Sequence, residues 1–105
     1  MQYVRCVNNR GYQVSLTVGA TYKILAHNEP GSLRVIDNEG EDYLYDAERF
    51  QMVELNGEQP IDDAVTIHLN GQIKGILRAE AIAAQTNVSA LLREWIEERL
   101  DLPVG

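Results

Sequence analysis

Residues 65–100 read VTIHLNGQIKGILRAEAIAAQTNVSALLREWIEERL, and this stretch decides how the rest of the chain is understood. Val65, Ile67 and Leu69 alternate with Thr66, His68 and Asn70, which predicts a short strand with one apolar face. A lone strand is not stable, and the chain turns helical at once. The simplest strand partner is therefore the same segment of a second copy. Ile73, Ile76, Leu77, Ala81 and Ala84 recur at spacings of three and four, placing them on one stripe of a helix that begins near Gln72. Asn87 stands where an N-cap belongs, able to accept from the amide of Ser89 or Ala90. A second helix carrying Leu91, Leu92, Trp95, Ile96 and Leu100 follows it. That helix ends before Pro103, whose ring cannot continue it and disfavours helix at Leu102.

This strand-helix-helix layout resembles the ribbon-helix-helix family of small dimeric DNA-binding proteins, which includes many bacterial repressors and antitoxins. The resemblance runs over residues 64–100 without a gap. The family's inward V-x-I/V-x-L strand pattern is matched by Val65, Ile67 and Leu69, and its first-helix leucines by Ile73 and Leu77. Its second-helix opening, commonly S-x-S-A-L-I-R-E, is matched by Asn87-Val88-Ser89-Ala90-Leu91-Leu92-Arg93-Glu94. The resemblance implies a homodimer whose two strands pair antiparallel into a ribbon for the DNA major groove. Ala64, Thr66 and His68 would then face base edges, and the amides of Val88 and Ser89 would hold a phosphate. Helix starts suit such a role, because their unpaired amides and partial positive charge favour an anion. Val65, Ile67, Leu69, Leu91, Leu92, Trp95 and Ile96 would form the dimer core. Among bacterial or phage proteins of this kind, transcription regulation and antitoxin action are the roles implied.

The chain departs from the family at several places. Family members often carry Arg or Lys on the outward strand face, where Ala64, Thr66 and His68 stand here. Asn70 occupies a position where proline is common. Ile76 and Ile82 replace residues that are usually polar, which points to contact with a protein partner.

Charge sets a further bound. The net charge is −7, and neither half is basic: residues 1–61 carry five Lys or Arg against nine acids, and residues 62–105 carry four against seven. Sequence-independent affinity for nucleic acid comes from Lys and Arg neutralising phosphates, so any DNA face must be local. At 105 residues and 45% hydrophobic, the chain can make one ordinary domain or two very small ones. No apolar run nears the roughly 20 residues that span a bilayer. The first residues lack the apolar core of a secretion signal, so no membrane association and a cytoplasmic location are expected. Cys6 is the only cysteine, so an intramolecular disulfide is excluded and a buried apolar role is expected.

Upstream, short apolar runs alternate with turn residues. Strands are predicted at residues 3–7, with Val4 and Cys6 on one face, and at residues 21–26, with Tyr22 and Ile24 on one face. Others follow at 33–36, 42–45 and 52–55, with a single helical turn at 47–50 before the last. Five short strands separated by turns predict a small β-barrel. The order of features, with an irregular loop ending in Leu16-Thr17-Val18-Gly19, a strand carrying Tyr22, and Gly40 before the fourth strand, resembles the SH3-like barrel over residues 2–56. The A-L-Y-D-Y opening and the groove Trp and Pro of proline-binding SH3 domains are not found at their places. The expected class is thus α+β: an SH3-like barrel at 1–56, a linker at 57–61 and a ribbon-helix-helix segment at 62–105.

Two histidines and one cysteine without ligand spacing give no metal site, and no cofactor motif is visible. Glu39, Glu41, Asp42 and Asp46 read as a solvated edge that discourages strand aggregation. Tyr12, Tyr43 and Tyr45 read either as an aromatic binding surface or as barrel packing, since the interior claims either Leu44 or the Tyr43/Tyr45 pair. Nothing resembles a phosphate loop or a nucleophile with its base, so no enzyme is expected. Two functions fit. One is a dimeric DNA-binding regulator with the barrel as an effector or partner-binding module. The other is a protein-interaction module that uses residues 62–105 only to dimerise.

Overall fold

The computed structural model describes residues 3–26, 30–54 and 60–101. The chain divides into two compact units, Met1–Glu54 and Leu55–Gly105. His27, the turn residues Asn28 and Glu29, Leu55 of the expected fifth strand, residues 57–59 of the expected linker, and Leu102 and Pro103 lie outside the described residues.

The first unit is an antiparallel sheet of five strands, β1 Tyr3–Cys6, β2 Thr21–Ala26, β3 Ser32–Ile36, β4 Asp42–Asp46 and β5 Phe50–Met52, in the order β4-β3-β2-β1-β5. Together with the two helices that follow, this makes the fold α+β. β4 and β5 are the two edges, so the sheet is open, and closure into a barrel is not shown. A 3-10 turn at Ala47–Arg49 joins them. β5 begins earlier than the pattern at 52–55 suggests, because Phe50 is the residue that pairs with Cys6 and is buried.

The alternation expected of each strand sorts the side chains. Val4, Cys6, Leu16 and Val35 are wholly inaccessible, and Tyr22, Ile24, Tyr45 and Phe50 complete the core. Each fully buried Val or Leu side chain contributes about 1.5–3 kcal/mol relative to exposure. On β4 the interior takes Tyr45, while Leu44 is half-buried and Tyr43 stays exposed at the rim. The ring of Tyr45 meets Phe50 edge-on at 6.2 Å, and Phe50 meets Tyr22 at 6.5 Å.

The long loop between β1 and β2 is held by polar groups rather than by regular structure. The Tyr22 hydroxyl accepts from the Thr17 amide and donates to Asn38 Oδ1, both at 2.7 Å. Asn38 Nδ2 donates to Thr17 Oγ1 at 3.0 Å and to the Val14 carbonyl at 3.2 Å. One asparagine in the β3–β4 hairpin thereby closes the loop over Leu16. Gly40 makes that hairpin possible, since its φ of +75° is costly for other residues.

The second unit contains α1, Gly71–Ala83, and α2, Val88–Leu100. Asn70 caps α1, its Oδ1 accepting from the Ile73 amide at 2.9 Å. This explains why the helix starts immediately after Asn70 despite Gly71. Asn87 caps α2 through the Ala90 amide at 2.8 Å. α1 ends in a Schellman arrangement: Thr86 N–H donates to Ala81 O, Gln85 N–H donates to Ile82 O, and Gln85 takes the left-handed conformation at φ 57°. Residues 60–70 form neither helix nor strand within the single chain, and all are exposed. The strand expected at 65–69 thus makes no ladder inside its own chain, and no other described residue of this unit is in a strand that could pair with it.

Candidate functional site

The buried core of the second unit is thin. Among its described residues only Ala81 and Leu91 are buried. Val65 is 83% exposed, Ile67 60%, Ile96 51% and Trp95 40%, with Leu69, Ile73, Ile76, Ile82 and Leu100 also exposed. So many large apolar side chains in so short a segment are far more than scattered surface residues require. Of the residues expected in a dimer core, Leu91 is already buried within its own unit, Leu92 is half-buried, and the other five remain open to solvent.

A groove of about 710 Å³ runs through this unit, bordered by Ile67, His68 and Leu69, by Lys74, Leu77 and Arg78 of α1, and by Val88 and Leu92 of α2. Lys74 and Arg78 are four apart and so share one side of α1. His68 and Val88, two of the expected DNA-facing residues, therefore sit beside two cations. Ala64, Thr66 and Ser89, the other three, are exposed but do not border the groove. A second cleft of about 380 Å³ is lined by Leu92, Trp95, Ile96, Arg99 and Leu100 of α2, and is almost wholly apolar. Ile67, His68 and Leu69 are consecutive yet border the same groove, whereas in a paired strand His68 faces away from its two neighbours.

The sheet unit carries the aromatic group marked in the sequence. Tyr12 meets Tyr45 edge-on at 5.1 Å, Tyr43 lies 5.2 Å from Tyr45, and Tyr12 and Tyr43 are 6.5 Å apart. The Arg49 guanidinium stacks over Tyr12 at 4.7 Å and donates to the carbonyls of Asn8 and Arg10. Arg49 so pins the loop that presents Tyr12, a role the sequence pattern did not reveal. The Tyr45 hydroxyl donates to Asp37 at 2.9 Å. Its pKa is pushed up to about 12, first by burial and then by the Asp37 carboxylate that holds its proton, against a smaller opposing effect of Ser15. Tyr12 and Tyr43 keep 37% and 53% of their surface exposed.

No described helix is long and apolar enough to cross a membrane. No family model, curated protein or solved structure matches the chain.

Proposed function

We propose that the chain is a homodimeric ribbon-helix-helix DNA-binding regulator, of the transcription-regulating or antitoxin kind, in which an SH3-like first unit acts as a partner-binding or effector module. The observation that carries this reading is the mismatch in residues 62–101 between two buried side chains and the exposed row of Val65, Ile67, Leu69, Trp95 and Ile96. A second copy that pairs strand with strand and helix with helix would cover that row. Thr66 and His68 would then point outward, with the α2 start at Val88 and Ser89 offered to phosphate. Lys74 and Arg78 supply the local positive charge that an acidic chain otherwise lacks.

The test is a gel shift of the chain on the DNA upstream of its own coding sequence, at low and moderate salt. Thr66→Ala combined with His68→Ala should remove sequence preference. A double variant that shifts this DNA as well as the parent would refute the reading ribbon. A second reading, a module that dimerises through the same segment without binding DNA, is favoured by the uncharged Ala64 and Thr66 and the net charge of −7. It takes over if the parent shifts no DNA at low salt.

A further inference from the structure

The exposed rings of the first unit stand at an unusual place: beside a free sheet edge and among carboxylates. Among the described residues β4 pairs with β3 alone, so one side of residues 42–46 is an edge with no strand described beside it, the usual landing place for an extended segment of another chain. Tyr43 lies on that strand with 53% of its surface exposed, and Tyr12 packs against the same cluster. Of the nearby acids, Asp42 alone has an ion pair among the described residues. Asp37 holds the Tyr45 hydroxyl, Glu39 meets Ser15 at 3.3 Å, and Glu41 precedes the strand on the Tyr43 side of the pleat. On the opposite face Asp42 has Arg34 at 3.1 Å, and Asp46 has no ion pair among those found for the described residues.

We propose that β4 is a docking edge for an extended, basic segment of a partner protein, whose Lys or Arg side chains lie across Tyr43 and between these carboxylates. Each part of the surface selects for that occupant. The free edge supplies main-chain hydrogen bonds to any extended peptide. The carboxylates on both faces repel acidic segments and the phosphates of nucleic acid, and they repel a second copy of β4 itself, which carries Asp at both ends. The Tyr43 ring adds a face that attracts a cation, as Arg49 already shows over Tyr12. This site uses residues of the first unit alone and stands whether or not residues 62–105 read DNA.

The full-length protein is titrated with an alternating Arg-Thr octapeptide, a block octapeptide of four Arg then four Thr, and an alternating Glu-Thr octapeptide, followed by NMR. The alternating basic peptide should saturate and shift the amides of residues 42–46 and the Tyr43 ring. The block peptide should bind more weakly, and the acidic one not at all. Tyr43→Ala should weaken binding about tenfold while Tyr43→Phe keeps it, the difference expected of a lost aromatic face. Glu41→Lys, which leaves the main-chain bonds of residue 41 to Asp37 in place and changes only an exposed side chain, should abolish binding and decides the matter should Tyr43→Ala fail to fold. The proposal is overturned if the parent shows no saturable binding up to about 1 mM, the weak end of specific recognition. It is also overturned if Tyr43→Ala and Glu41→Lys both bind like the parent, or if the shifts centre on the acidic residues of α2.

Discussion

Replacing Ile67 by Asp is the sharpest perturbation of the dimer reading. Ile67 is 60% exposed in the single chain, so more than half of its surface is left for a partner to cover. Full burial of an isoleucine side chain is worth about 1.5–3 kcal/mol, so the uncovered share contributes about 1–2 kcal/mol per copy and about 2–4 kcal/mol per dimer. Two carboxylates forced into an apolar ribbon add several kcal/mol of desolvation. The loss should therefore exceed about 4 kcal/mol, a weakening of association by roughly a thousandfold or more at about 1.4 kcal/mol per tenfold. Sedimentation equilibrium over a wide concentration range reads this directly, with circular dichroism to follow helix content. Thr66→Asp is the control, because in the proposed paired ribbon its side chain would point away from that of Ile67, and it should leave association within a few-fold of the parent. A parent that sediments as a folded monomer at tens of micromolar, or an Ile67→Asp variant that associates as the parent does, would refute the reasoning.

Other expectations rest on single contacts. Asn70→Ala and Asn87→Ala each remove a side-chain cap and should cost about 1 kcal/mol in chemical denaturation. Gln85→Gly relieves a left-handed non-glycine residue and should leave the fold unharmed or raise stability by up to about 1 kcal/mol, whereas Gln85→Val should lower it. Tyr22→Phe deletes the hydroxyl that joins Thr17 to Asn38 and should destabilise the first unit by about 1–3 kcal/mol, with the loop amides of residues 14–18 losing hydrogen-exchange protection first. Tyr45 gives a pH dependence. Its folded pKa, about 12, lies above the unfolded value of 10.0, so the folded state keeps a proton that the unfolded state loses. That stability is fully present below pH 10 and fades as the pH rises towards 12, by at most about 2–3 kcal/mol and by less where solvent screens the hydroxyl. Tyr45→Phe should flatten this alkaline decline, as measured by urea midpoints across that range.

Local pattern carried much of the fold. The period of two placed Val4, Cys6, Tyr22 and Ile24 inside, and apolar spacing, with the Asn87 cap, placed the starts of both helices to within a residue or two. Long-range choices were less legible. The competition between Leu44 and Tyr45 for the interior turns on which residue meets Phe50 and Asp37, contacts set by the 3-10 turn and the hairpin rather than by alternation along the strand. Asn70 read as the polar end of a strand, yet its short side chain serves better where it accepts the Ile73 amide. The roles of Asn38 and Arg49 could not be seen at all, since each ties together segments more than 20 residues apart. Of the expected DNA-facing residues, His68 and Val88 meet Lys74 and Arg78 around one groove, while Ala64, Thr66 and Ser89 fall outside it.

That partial gathering has a physical reading. A strand sorts its neighbours onto two faces only when hydrogen bonds to another strand hold the pleat, and within the single chain residues 60–70 have no such ladder. Ile67, His68 and Leu69 can then all border one groove. Pairing with a second copy would send Ile67 and Leu69 towards the helices and turn His68 out beside Thr66, separating the apolar surface that binds the copy from the polar surface available to a ligand. Association and recognition would be coupled through the geometry of one strand: the residues proposed to read DNA acquire a common face only once Val65, Ile67 and Leu69 are covered.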